Sequence, residues 1–117
     1  MSLLTAVRKV LARDSPPEPP ITVTESGLSF VSKKGPCEIP WKDITQIRAL
    51  KLDLFAWDEV RFVFALTSGI EIDISEEQPG FEAAISAAKA QFPSIADWEA
   101  KLIKPAFIRN ETVLFQR

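Results

Sequence analysis

The sequence predicts an α+β fold, a bent antiparallel sheet of about six to seven strands covered by one C-terminal helix plus a shorter one, with an amphipathic helix at the N-terminus. Two stretches carry that prediction. From Glu59 to Ser75, apolar and polar residues alternate on both sides of Thr67-Ser68-Gly69, the pattern of a β-hairpin with one buried face. From Phe81 to Phe92 the apolar residues recur instead at helical steps, leaving one stripe to lie across the sheet. The chain has 117 residues, 46% of them hydrophobic, which suits one domain with a substantial core.

Met1 to Asp14 spaces Leu3, Leu4, Val7, Val10 and Leu11 at helical intervals and sets Arg8, Lys9 and Arg13 among the polar positions. This reads as an amphipathic helix that docks on its own domain, on a second copy, on a partner or on a membrane surface. Basic residues break its apolar run and no small-residue cleavage pattern follows, so it is not read as a signal peptide, and it is too short to span a bilayer. Ser15 to Pro20 places four prolines in Ser-Pro-Pro-Glu-Pro-Pro, a stiff polyproline II linker. The expected organisation is therefore a helix over 1–14, a linker over 15–20 and one domain over 21–117.

Ile21 and Val23, then Leu28 and Phe30, alternate around the turn Glu25-Ser26-Gly27 and form a first hairpin. Lys33-Lys34-Gly35-Pro36 ends it, and Cys37, Ile39 and Trp41 resume the alternation as a third strand, which Pro36 and Pro40 confine to an edge. Trp41-Lys42-Asp43-Ile44-Thr45-Gln46-Ile47 reads as a tight turn, with the Asp43 side chain capping backbone N–H groups and Trp41, Ile44 and Ile47 anchoring either side. Arg48 to Leu54 is a fourth strand, followed by a connection whose Phe55 and Trp57 are either core residues or an aromatic contact patch for a partner.

In the central hairpin two registers compete. A two-residue loop opposes Phe64 to Asp73, whereas a three-residue loop with Gly69 in the left-handed bulge position opposes Phe62 to Ile74, Phe64 to Ile72 and Leu66 to Ile70. The second keeps one face apolar, with Arg61, Val63, Ala65, Glu71 and Asp73 pointing outward, and is the register expected.

Pro79 to Phe92 is the covering helix, with Phe81, Ala84, Ile85, Ala88 and Phe92 in its stripe, proline in its first turn and Pro93 stopping it. Ser94 to Ile103 is a shorter helix capped by Ser94, burying Ile95, Trp98 and Leu102. Thr112 to Phe115 is a last strand, and the glycosylation sequon Asn110-Glu111-Thr112 before it reads as turn chemistry.

The formal net charge of −2, without a basic run, leaves no footprint for nucleic acid. Cys37 is the sole cysteine and suits a reducing, cytoplasmic compartment as core filler. The chain has no histidine, which removes Ser-His-Asp and Cys-His catalysis and histidine metal clusters, and its four glycines form no phosphate loop. No catalytic residue, cofactor or metal ligand is assigned. The expected register brings Asp58 and Glu59 near Glu76 and Glu77 at the open end of the hairpin, and residues 58–82 hold seven acids against Arg61 alone. Those carboxylates splay into solvent, hold a cation, or present an acidic surface to a basic partner.

Successive strands, the Trp-Lys-Asp-Ile turn and a covering helix together resemble bacterial pleckstrin-homology-like domains. Ile21 to Arg117 further resembles a set of small uncharacterised bacterial proteins with a Trp-x-Asp-hydrophobic turn, a central strand opened by aspartate, a helix and a closing Asn-x-Thr-x-x-x-x-Arg, here Trp41 and Asp43, Asp58, and Asn110, Thr112 and Arg117. The resemblance implies that architecture and no catalytic residue, and only Lys33 and Lys34 stand where eukaryotic relatives carry a basic lipid-binding loop. The expected function is a non-catalytic protein-interaction module, of immunity or scaffold type, that self-associates or meets a basic protein through Asp58, Glu59, Glu76, Glu77, Phe55 and Trp57. The alternatives are peripheral membrane attachment through residues 1–14 and a metal-dependent enzyme built on the acidic cluster.

Overall fold

Seven strands and two helices follow one another along the chain in a computed structural model that describes residues 19–53, 58–102 and 110–117. The expected helix over 1–14 and the aromatic pair Phe55 and Trp57 lie outside the described residues. Strands β1 (Thr22–Thr24), β2 (Gly27–Ser32) and β3 (Gly35–Pro40) form one antiparallel sheet in that order. After a 3-10 turn at Trp41–Asp43 come β4 (Ile44–Asp53), β5 (Asp58–Leu66) and β6 (Glu71–Ser75). Helix α1 (Phe81–Gln91), a second 3-10 turn at Pro93–Ile95, helix α2 (Trp98–Leu102) and strand β7 (Asn110–Gln116) complete the order.

The strands make two antiparallel sheets where the sequence suggested one bent sheet: a three-stranded one, and a four-stranded one ordered β6-β5-β4-β7. The break falls where Pro40 ends β3 and the 3-10 turn redirects the chain, so β3 and β4 are consecutive without pairing. In that turn the Asp43 side chain is not the cap expected of it, and its backbone carbonyl instead accepts from the Thr67 N–H at 2.8 Å. Trp41, Ile44 and Ile47 are buried on either side, and β3 lies at an edge, as its prolines require.

The hairpin β5–β6 has the expected register, Phe62 opposite Ile74 and Phe64 opposite Ile72. Gly69 is left-handed at φ 90°, and the Leu66 N–H donates to the Ile70 carbonyl at 2.9 Å, which closes the three-residue loop. Ile70 departs from its expected inside, and Val63 keeps its outward side without the expected exposure. Ile70 is 58% exposed, at the end of the three-residue loop and outside the shared core. Val63 points away from the core yet is only 7% exposed. It stands between Arg48 and Asp73 in the pairing, and the Arg48 side chain reaches across its strand to Glu71 at 2.7 Å, so long polar side chains cover it.

Helix α1 buries the expected Phe81, Ala84, Ile85 and Ala88, with Phe92 just past its end. Its start differs, since Gly80 at φ 89° precedes the first turn and Pro79 stands outside the helix. A side chain on Gly80 would place its Cβ 2.3 Å from the Ile21 carbonyl oxygen, so only glycine lets the entering chain pass there. Ser94 lies in the 3-10 turn, and its hydroxyl donates to the Leu114 carbonyl at 3.0 Å instead of capping a helix. Ile95, Trp98 and Leu102 are buried as expected. Asn110 to Thr112 belongs to β7 and not to a turn. Residues from both sheets and both helices share one core in which Phe62 meets Phe81 and Trp98 edge-on, at centroid distances of 5.8 and 5.1 Å. No helix among the described residues is long and apolar enough to cross a membrane.

Candidate functional site

At the open end of the hairpin the structure brings together Glu59, Glu76 and Glu77, on adjacent strands and the turn after β6. They are not equivalent. Glu59 is buried, accepts from the Ser75 hydroxyl at 3.0 Å, and meets the Arg61 Nε at 3.4 Å. Glu76 takes the Val60 N–H on its carboxylate at 3.0 Å, while its own N–H donates to the Val60 carbonyl. Glu77 is half-buried, and its N–H donates to the fully buried Ser75 hydroxyl at 3.1 Å. Asp58 opens β5 opposite Asp53, and its side chain lies outside the described set.

A polar knot fixes this end of the molecule. Buried Gln78 accepts the Ser75 N–H at 2.7 Å and donates from Nε2 to the Pro19 carbonyl at 2.8 Å. The Ile21 N–H donates to the Pro79 carbonyl at 2.8 Å. The turn 78–80 therefore holds the chain at Pro19–Ile21 against the end of β6, and each buried polar group named here has a partner.

Directly beside the knot, the end of β6 and the two helices enclose a groove of about 360 Å³. That volume is near the low end for a ligand cleft and suits one or two side chains better than a large molecule. Phe81, Ile85 and Trp98 form its apolar lining, and Glu76, Glu82 and Glu99 supply three carboxylates. Lys89 and Ser86 complete the wall. Neither Glu82 nor Glu99 nor Lys89 has an ion-pair partner among the described residues. Trp98 is mostly buried, yet its indole N–H meets no acceptor, a deficit of about 1–3 kcal/mol for a buried donor.

Two features of this groove were not singled out from the sequence. Glu82 belongs to the acid-rich stretch 58–82 that the sequence marks as a surface for a basic partner, but Ser86 and Lys89, at helical steps from it on one flank of the α1 stripe, read as ordinary solvated surface. Glu99 joins them only because α2 folds back beside α1, which no local pattern announces. A buried lysine was also unforeseen: Lys51 is 1% exposed on the core side of β4, opposite Val60.

The opposite face of the four-stranded sheet carries a charge ladder, with Arg48 bridging Glu71 and Glu111 and Arg61 meeting Asp73 at 2.8 Å. These partly exposed pairs match one another and contribute little each. Among the described residues no group of three or more carboxylates or thiols is placed to hold a metal ion. The chain matches no family model, no curated protein and no solved structure, so the groove's own residues are what its function is read from.

Proposed function

We propose that this chain is a non-catalytic protein-interaction module that receives a basic segment of a partner protein in the groove between β6, α1 and α2. The observation that supports it most is the pairing of an apolar lining with three carboxylates against one lysine, two of the carboxylates without an ion-pair partner. A lysine or arginine side chain lays its aliphatic stem on Phe81 and Ile85 and its charge among Glu76, Glu82 and Glu99. Catalysis has no part in this reading, and a reducing compartment such as the cytoplasm suits the lone Cys37. The pleckstrin-homology-like architecture belongs to the same proposal. Seven strands in two antiparallel sheets with a helix packed on them support it, and so does β7, which follows the helices as the closing strand and pairs with β4.

Calorimetric titration of the full chain with an oligolysine peptide tests the proposal. Saturable binding that weakens as salt rises, and falls about tenfold in the double variant Glu82→Lys, Glu99→Lys, is the expected result. Absence of binding, or binding indifferent to those substitutions, overturns it. Titration with calcium, magnesium and manganese tests the competing enzyme reading, since tight stoichiometric metal uptake abolished by Glu76→Gln points to a metal-dependent site instead.

A further inference from the structure

We propose that the free edge of β6 takes an added strand from a partner protein, an extended segment with basic residues at alternate positions and a β-branched apolar residue between them. The contact is made along a sheet edge, apart from the groove, and does not rest on the groove reading. Its first support is the direction of the β6 backbone. The Leu66 N–H donates to the Ile70 carbonyl at 2.9 Å and the Glu76 N–H to the Val60 carbonyl at 3.0 Å, so the even-numbered residues from Ile70 to Glu76 bond to β5. Glu71, Asp73 and Ser75 therefore turn their N–H and C=O groups away from it. The Ser75 N–H is taken by Gln78, whereas those of Glu71 and Asp73 meet no acceptor among the described residues.

The other sheet edges are encumbered. On β3 the Trp41 N–H donates to the Ser26 carbonyl at 2.9 Å, so Cys37, Ile39 and Trp41 face β2, and Pro36, Glu38 and Pro40 hold the outward positions. Of those three only Glu38 has an N–H to offer. Strand β1 is three residues long and lies beside α1. On β7 the Leu114 carbonyl already accepts from Ser94, in the 3-10 turn that packs against the strand. Strand β6 has no proline, and Glu71 and Asp73 on its edge are both exposed.

Charge selects the occupant. Glu71 and Glu111 share Arg48, and Glu59 and Asp73 share Arg61, so four carboxylates meet two guanidinium groups on this face of the sheet. At the edge itself the Glu71 and Asp73 side chains are 52% and 53% exposed. An antiparallel strand sets its residues directly opposite these two and on their face, where lysine or arginine meets carboxylate. The residue between comes to the other face, beside half-buried Ile72 and near exposed Ile70, so a β-branched apolar side chain extends the core there.

A second copy does not fit the same edge. Two-fold pairing of β6 with itself opposes Glu71 to Glu71, Glu71 to Asp73, or Asp73 to Asp73, and like charges directly opposite destabilise the pair. The next register needs the Ser75 N–H, which Gln78 already holds.

The test uses the full chain and a short capped peptide of alternating lysine and valine, with hydrogen exchange followed amide by amide. At saturation, exchange at Glu71 and Asp73 should slow by about tenfold or more while Glu38, the outward amide of β3, is unchanged. The protection should weaken as salt rises and persist in Glu82→Lys, Glu99→Lys, which reverses two carboxylates of the groove. A peptide N-methylated at its lysines should give no protection, because those residues supply the bonds to β6, whereas one N-methylated at its valines should protect as before. The double variant Glu71→Gln, Asp73→Asn should bind about tenfold more weakly, and the two methylated peptides decide the matter on the parent chain should that variant fold poorly. Unchanged exchange at Glu71 and Asp73, equal protection by both methylated peptides, or protection lost in Glu82→Lys, Glu99→Lys overturns the inference. Protection that grows with the concentration of the chain alone gives the edge to a second copy and overturns it as well. If the peptide leaves both amides unprotected while oligolysine still binds the groove, only this inference falls. If both amides are protected while oligolysine ignores the groove substitutions, only the groove reading falls.

Discussion

Phe64 is fully buried opposite Ile47 and Ile72, and its ring tilts against Phe62 at 6.4 Å. Its truncation to alanine should cost about 3 kcal/mol or more in denaturant melts, the range for removing a buried aromatic, and a loss below about 1 kcal/mol contradicts its role. Glycines separate two kinds of strain. Gly69→Ala meets nothing within 4 Å and carries only the penalty of a left-handed φ, whereas Gly80→Ala adds a collision with the Ile21 carbonyl. The Gly80 variant should therefore lose clearly more stability than the Gly69 variant in the same melts, with the latter near 1 kcal/mol. At this scale alternation read Phe62, Phe64 and Ile74 correctly. It also set Val63 on the outward face, where it lies, but a period of two marks a face, while burial on that face depends on what long side chains elsewhere reach over it.

Elements with local causes were legible, and those with distant causes were not. The hairpin register followed from one glycine and six apolar positions, and the α1 stripe followed from its spacing. The polar knot did not, because Ser75, Gln78, Glu59 and Pro19 come from separate elements and each alone reads as an ordinary surface residue. Removing the centre of that knot tests its weight. Gln78→Ala leaves the Ser75 N–H and the Pro19 carbonyl without partners in a buried setting and should cost about 1–3 kcal/mol. Hydrogen exchange should show faster opening at Ser75 and Ile21 than in the parent chain, with the β4–β5 amides unchanged. Protection retained at both positions rules out the knot as the clamp on the entering chain.

For the whole molecule, the acid excess at one end was visible in the sequence, but its location was displaced by one layer. The strand-end acids Glu59 and Glu76 are engaged in holding the hairpin to its surroundings, and the two carboxylates without ion-pair partners belong to the helices. Exchange of Glu59→Gln should consequently lower stability, whereas Glu99→Gln should leave melts within about 0.5 kcal/mol of the parent and weaken oligolysine binding. The reverse pattern places the binding surface back on the strands. Strand β7 joins the four-stranded sheet only after both helices, pairing Ile47 with Phe115 and Arg48 with Val113, and the Arg117 side chain donates to the Ile44 and Lys42 carbonyls. While the chain is being synthesised, β4 is thus made long before its second neighbour exists. Its open hydrogen-bonding edge is then a template for pairing with another nascent chain, and folding yield should fall with expression rate more steeply than the stability of the finished protein suggests.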